Sequence, residues 1–302
     1  MYTLPSYCPL VSVIIPTYNR EFCIGRAITS VINQTFTEWE IIIVDNNSTD
    51  KTDEIISEFL DDRISVVKIH NNGIVAKSRN LGIKLAKGSL IAFLDSDDWW
   101  APKKLEIAVQ QIASGSDVVY HELYRVTKNS TRAKKQNRIF SRKLSSPVFV
   151  DLLSNGNTIC NSSVVLRRKL LEEIEGFSEE KDLLGSEDFD GWLRISKLSE
   201  NFEKLDGVFG YYWDGGGNLT SAKLTIKNIL FLYKKYAHEF SLIGSKKMPG
   251  WMAYTLARAT LDIGDFSRAR EYSLLTLKSS VPLKVWIKAV VNLVLSFLKL
   301  KL

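Results

Sequence analysis

Short apolar runs and amphipathic stretches alternate along the first 120 residues. Runs at 11–15, 40–44, 64–69, 90–94 and 118–120 are apolar, all but 90–94 rich in Val and Ile, as strands buried on both faces of a sheet are. Between them, 23–33, 51–60, 75–86 and 102–113 carry apolar residues at helical spacing. That alternation predicts βαβ units on a mostly parallel sheet, a Rossmann-like α/β fold. Right-handed crossovers then bring the carboxyl ends of the strands to one edge.

Downstream the pattern loosens and then changes. Residues 128–146 are basic, polar and poorly periodic, which predicts a surface loop or flap. A strand is expected at 159–166, a helix at 168–173, a helix starting near Ser186 as N-cap, and a strand at 208–213 before Gly215, Gly216 and Gly217. From about 225 the spacing is wholly helical. Helices at 252–263 and 268–277 flank Gly264-Asp265-Phe266, an α-hairpin resembling a single tetratricopeptide-like unit. The expected organisation is a catalytic domain over 1–224, with halves at about 10–120 and 145–224, and a helical extension over 225–302.

Three polar clusters fall on the predicted carboxyl edge: Pro16-Thr17-Tyr18-Asn19-Arg20, Asp45-Asn46-Asn47-Ser48, and Asp95-Ser96-Asp97-Asp98. The last puts three carboxylates in four positions just beyond a buried run, where open α/β sheets bind ligands. Crowded like charges call for a cation among them, and carboxylate oxygens suit Mg²⁺ or Mn²⁺. Taken alone, an Asp-rich turn is as well read as a helix cap. A further acidic pair, Glu187-Asp188, opens the helix carrying Phe189, Trp192 and Leu193; there too, acids in a first turn favour the helix dipole without any other role.

Composition adds limits. Among 302 residues, 40 are basic and 34 acidic, for a net charge of +6, too mild to point to nucleic acid. Eight Lys or Arg and no acid lie between Arg125 and Lys143, and five Lys and no acid between Tyr272 and Leu302. Either stretch reads as a solvated surface or as contact with something anionic, such as a membrane. With Phe140 the lone interleaved aromatic in the first, stacking on nucleic acid is not expected. Cys8, Cys23 and Cys160 are scattered and His70, His121 and His238 show no ligand spacing, which predicts neither disulfides nor zinc. No basic segment precedes the first apolar run, so a cytoplasmic location is expected. The segment 282–302 is apolar with four Lys and too short to span a bilayer; an interfacial helix, peripheral on the membrane, and a packed terminal helix are both consistent with it.

With four motifs in order, the chain resembles the family 2 glycosyltransferases of GT-A fold over about residues 10–221. P-x-Y-N is matched by Pro16–Asn19. V-D-D-x-S-x-D is matched by Val44–Asp50, with Asn46 for one Asp. A-R-N-x-G is matched by Ser78–Gly82, with Ser for Ala, and F-L-D-x-D-D by Phe93–Asp98. The resemblance implies an inverting enzyme that moves a sugar from a nucleoside-diphosphate donor, a UDP-sugar by preference, to a glycan or lipid-linked acceptor in polysaccharide synthesis. It implies donor binding by Pro16, Thr17, Tyr18, Asp45, Arg79, Asp95 and Ser96. Asp45 would read the base edge or cap its own turn; Arg79 would hold nucleotide or pair with Asp45. Asp97 is the implied metal ligand, with Asp95 and Asp98 as further candidates. The family's E-D-x-x-x-W-L-R motif is matched at Glu187–Arg194 and implies Asp188 as general base, with Glu187 second. Relatives often carry a His or basic residue beside the diphosphate; the stretch 212–221 has none.

Competing readings are a nucleotidyltransferase of related fold, which would want a Gly-rich basic loop after the first strand, and a partner that keeps the fold without turnover. The haloacid-dehalogenase pattern fails at Trp99-Trp100, and no G-x-x-x-x-G-K-S/T is present.

Overall fold

A computed structural model of the chain describes residues 10–127, 137–215, 221–242 and 248–301. The basic stretch 128–136 and the glycines at 216 and 217 therefore lie outside the described residues. The chain divides into two compact units, the first being Met1–Leu144, Thr158–Glu179 and Arg194–Gly217, and the second Ser145–Asn157, Glu180–Leu193 and Asn218–Leu302.

The first unit is a mixed α/β layer structure. Its strands are β1 (Val11–Thr17), β2 (Trp39–Asp45), β3 (Ile64–Lys68), β4 (Leu90–Phe93), β5 (Trp99–Trp100), β6 (Val118–Val126), β7 (Arg138–Ile139), β8 (Val165–Arg167) and β9 (Phe202–Trp213). They join in one sheet of order β3-β2-β1-β4-β8-β6-β9-β5, with β7 on β6. The β3-β2-β1-β4 half is parallel, as the alternation predicts. Its helices are α1 (Ile24–Ile32), α2 (Thr52–Ser57), α3 (Val75–Leu85), α4 (Lys104–Ala113) and α6 (Arg168–Glu173).

Every residue of β1 and β2 is buried, and each fully buried Val or Ile there contributes roughly 1.5–3 kcal/mol. Helix α3 rests close on this sheet: a Cβ at Gly82 would lie 2.5 Å from Ile14 Cγ2. The glycine of the R-N-x-G motif is thus a packing requirement, and it sets the height of Arg79 above the strands.

The other half of the sheet departs from the expectation. The run at 159–166 forms a strand only at β8, antiparallel to β4 and β6, after a 3-10 turn at Asn161–Ser163. Polar demand explains the shortening: the Ser162 hydroxyl accepts from Asp95 N and its carbonyl accepts from Trp100 Nε1. The strand expected at 208–213 begins at Phe202 instead, and β5 pairs antiparallel with it through Trp99↔Tyr211 and Trp100↔Gly210.

The second unit is helical: α5 (Val148–Asn155), the start of α7 (Glu187–Ile195), α8 (Ala222–Lys235), α9 (Ala237–Leu242), α10 (Gly250–Asp262), α11 (Phe266–Leu277) and α12 (Leu283–Leu298). Helices α10 and α11 form the expected hairpin about Gly264, whose φ is +81°, and Asp265 caps α11 by accepting from Arg268 N. Buried Asp190 of α7 accepts from Tyr236 Oη at 2.8 Å and pairs with Lys235 Nζ at 2.9 Å. Asn228 of α8 donates to Leu184 O at 2.6 Å. Together these bonds fix the start of α7 against α8.

Candidate active site

The loops after β1 and β2 are sewn together. Asn19, in a left-handed conformation, accepts from Thr49 N at 2.8 Å and its own amide donates to Ser48 Oγ at 2.9 Å. Arg20 N donates to Thr52 Oγ1, Glu21 N to Asp50 Oδ2, and Lys51 N to Glu21 Oε2. Pro16 and Thr17 are buried beneath, while Tyr18 is 51% exposed. Asp45 has no exposed surface, and both its oxygens accept from Ser48. The turn-capping role is the one the structure displays. Asn46, standing where the family has Asp, accepts from Asn71 N at 2.8 Å and so secures the approach to α3.

Helix α3 carries Arg79 and Asn80 in different directions. Arg79, 5% exposed, donates to Asp95 Oδ1 at 2.8 Å. Asn80 clamps the Phe177 backbone, accepting from its N at 2.8 Å and donating to its O at 2.9 Å. The Arg79–Asp95 pair is partly buried and charge-assisted, so it orients the first carboxylate of the cluster.

Within the cluster the three acids are unequal. Asp97 lies 3.7 Å from the Arg20 guanidinium. Burial, then the charge of Asp95, pushes its carboxyl above the ordinary range, with Arg20 pulling the other way. Asp98 is 1% exposed and accepts from Trp213 N at 2.8 Å through Oδ1, and among the described residues its buried Oδ2 makes no hydrogen bond of ordinary geometry. Burial, followed by Asp95 and Asp97, raises it well above the usual carboxylate range; Ser162 and the Trp213 amide only partly offset this. Ser96 is buried between them.

Sequence reasoning assigned no role to several neighbours. Arg26 of α1 stacks over the Trp99 ring at 3.6 Å, faces Trp213 at 5.2 Å, and donates to Asp97 O at 2.8 Å. Trp99 in turn stacks on Tyr211 at 4.9 Å. Arg20 and Arg26 supply the positive charge that 212–221 lacks. The one signal for them was the Arg that closes P-T-Y-N-R; nothing in the spacing pointed to Arg26. Lys104 and His121 are fully buried. Burial alone pushes the lysine well down, and burial with Lys104 pushes the histidine to about 3, so the imidazole is neutral at physiological pH.

Asp98→Asn offers a direct test of this unevenness. A carboxyl whose folded pKa is raised lowers stability at pH values above its unfolded pKa, because only the unfolded chain gives up the proton easily. Asparagine keeps an oxygen for Trp213 N. Metal-free Asp98→Asn is therefore expected to melt about 1–2 °C higher at neutral pH, the shift that ~1 kcal/mol produces at about 2.1 cal/mol/K of unfolding entropy per residue. The gain should vanish as pH falls toward 4. Melting curves from pH 4 to 8 check it; a gain independent of pH would remove the argument.

Among the described residues no three His, Cys, Asp or Glu side chains are grouped as an all-protein metal cage. Mg²⁺ and Mn²⁺ in nucleotide sites need only one or two carboxylates, with phosphate oxygens and waters completing the shell. Asp97 and Asp95 meet that requirement. Burial is the main cause of the raised Asp97 carboxyl, with the Asp95 charge second, and a cation bound beside these carboxylates would oppose both.

In the second unit, α7 begins with Glu187 and Asp188. Glu187 is 4% exposed and its Oε2 accepts from Gly185 N at 2.6 Å, the position of a residue that closes the turn. Asp188 is half-buried, its Oδ1 near Phe189 N at 2.6 Å. The helix dipole favours its ionised form.

The family described as Glycosyl transferase family 2 matches residues 12–175. The chain is 34% identical over 188 residues to UDP-Glc:alpha-D-GlcNAc-diphosphoundecaprenol beta-1,3-glucosyltransferase WfgD of Escherichia coli, covering 62% of this chain and 70% of that protein. It is 30% identical over 217 residues to WfaP of Escherichia coli, which bears the same enzyme description, covering 71% and 81%. Among solved structures, S. aureus TarS 1-349 in complex with UDP-GlcNAc superposes with a TM-score of 0.59 at 22% identity over 95% of this chain and 81% of that one. The mannosyltransferase PcManGT of Pyrobaculum calidifontis, in complex with GDP-Man and Mn²⁺, superposes with a TM-score of 0.59 at 19% identity over 98% and 88%.

Proposed function

We infer the reaction from one premise: this chain belongs to glycosyl transferase family 2. It is a glycosyltransferase, and we propose that it transfers a sugar from a UDP-sugar to a lipid-linked glycan acceptor with inversion at the anomeric carbon. The observation that carries the reading is the Asp95–Asp98 cluster just beyond β4, three carboxylates in four positions flanked by Arg20, Arg26 and Arg79. Such a site suits a diphosphate that brings its own cation. The relatives named for UDP-Glc and a diphosphoundecaprenol acceptor support the choice of donor and acceptor.

In this reading Tyr18, the most exposed of the donor residues, covers the nucleobase. Asp45 contributes through the turn it holds; a direct bond to the base edge would require that turn to open. Arg79 holds Asp95 toward the ribose hydroxyls, with Pro16, Thr17 and Ser96 shaping the walls. Asp97, with Asp95, would hold Mg²⁺ or Mn²⁺, which when bound neutralises charge on the departing diphosphate. Asp98 keeps the Trp213 backbone in place. Arg20 and Arg26 steady the diphosphate in place of the His or basic residue that the family often carries within the stretch matching 212–221.

The acceptor hydroxyl oxygen attacks the anomeric carbon opposite the diphosphate. A new C–O bond forms as the bond to the phosphate oxygen breaks, the electron pair leaves with the nucleoside diphosphate, and the hydroxyl proton passes to Asp188. No covalent sugar–enzyme intermediate is needed.

Thermal shift with nucleoside diphosphates separates the alternatives. UDP with Mn²⁺ at about 100 times its Kd should stabilise the protein by about 2.7 kcal/mol, and neither component alone should match it. Stabilisation by GDP in place of UDP would redirect the donor to a GDP-sugar; none by any nucleotide would overturn the reading.

A further inference from the structure

Helix α12 presents its faces to the second unit the wrong way round for a core helix. Toward α10 and α11 it turns Ala289, Asn292 and Ser296, small or polar residues that are all buried. Outward it turns Leu283, Trp286, Ile287, Val291, Val294 and Phe297, all more than 40% exposed, with Leu283 at 72% and Phe297 at 65%. At 100° per residue these six form one continuous stripe. The 16 residues give the stripe a length of about 24 Å. Among the described residues no helix is long and apolar enough to cross a membrane.

Charge decides what fits the stripe. Lys284 and Lys288 lie one turn apart along one edge of it, and Lys299 and Lys301 follow its end. Arg270 of α11 sits over the Phe297 ring at 5.2 Å and donates to Ser296 O. No acid occurs from Tyr272 to Leu302. A second copy seated on this face through a two-fold contact would set the same lysines against each other. An anionic bilayer surface would attract them while accepting the apolar side chains.

We propose that α12 lies in the interface of an anionic phospholipid membrane, with the Leu283–Phe297 stripe in the acyl boundary and Lys284 and Lys288 at the headgroups. The contact deepens the reading of a lipid-linked acceptor, but it rests on the surface of the second unit alone. Vesicle binding reads it without turnover, so failure of the transferase reading would leave the result intact, and the reverse.

The test is flotation of the full chain with vesicles of phosphatidylglycerol and phosphatidylcholine, or of phosphatidylcholine only, together with sedimentation velocity. The protein should float with the anionic vesicles, less so at high salt, and stay below with the zwitterionic ones. Lys284→Ala with Lys288→Ala should weaken binding about 25-fold, about fivefold per lysine. Val291→Asp with Val294→Asp should abolish it with an unchanged melting temperature, since both side chains are about half exposed on the outer face. Equal binding to both vesicle types would overturn the proposal. So would a concentration-dependent dimer that Phe297→Asp dissolves while no vesicle is bound.

Discussion

Asp188→Asn should lower the turnover number by about 10²–10⁴, the span typical of a lost general base, and leave UDP affinity unchanged. The amide keeps the shape and an oxygen for the first turn of α7, so the helix start should survive; what is lost is the capacity to take the acceptor proton. Glu187→Gln forms the contrast. Glu187 is buried with its oxygen on Gly185 N, so its change should appear first as lower thermal stability. Steady-state kinetics with isothermal titration of UDP distinguishes the two. Near wild-type turnover in Asp188→Asn would move the base elsewhere.

The second large effect is on binding. Asp97→Ala should weaken UDP binding in the presence of Mn²⁺ by about 30-fold or more, since removing one partner of a close charge pair costs about 2–5 kcal/mol. Without Mn²⁺ the same variant should bind UDP no worse than the parent, because a negative charge has left the neighbourhood of the diphosphate and Arg20 has lost its competitor. Titration calorimetry with and without Mn²⁺ reads both. An equal loss in the two conditions would mean that Asp97 supports the fold or the nucleotide directly, and the metal role would be withdrawn.

Much of the first unit was legible because its signals are local. Buried β-branched runs mark β1 and β2, a buried apolar run marks β4, and polar clusters follow all three at once, so the carboxyl edge is legible in the sequence. The roles inside those clusters were less so. Asp97 and Asp98 are adjacent and chemically identical, and only the partner of Asp98, the Trp213 amide 115 residues away, separates them. Antiparallel β8 is shorter than the pattern predicts, because Ser162 and Ser163 look tolerable in a strand while the Ser162 hydroxyl is taken by Asp95 N and its carbonyl by Trp100 Nε1. The two-residue β5 carries no periodicity to detect. Arg26 lies on a helix whose pattern shows only which residues are buried, and its partner rings come from β5 and β9. For α12, apolar content announced a buried helix as readily as an interfacial one; which side faces out depends on α10 and α11, and no pattern internal to the helix contains that.

The stitching of Asn19, Arg20 and Glu21 to Ser48, Thr49, Thr52 and Asp50 has a bearing on how such a site could be rebuilt. Loops elsewhere on a protein can often be lengthened or exchanged one at a time. Here a one-residue insertion after β1 would shift the amides of Asn19, Arg20 and Glu21 out of register with their acceptors across the gap. The two loops are therefore a single transplantable part, and grafting calls for moving both together, with Asn46 and Asn71 as the joint to the next helix.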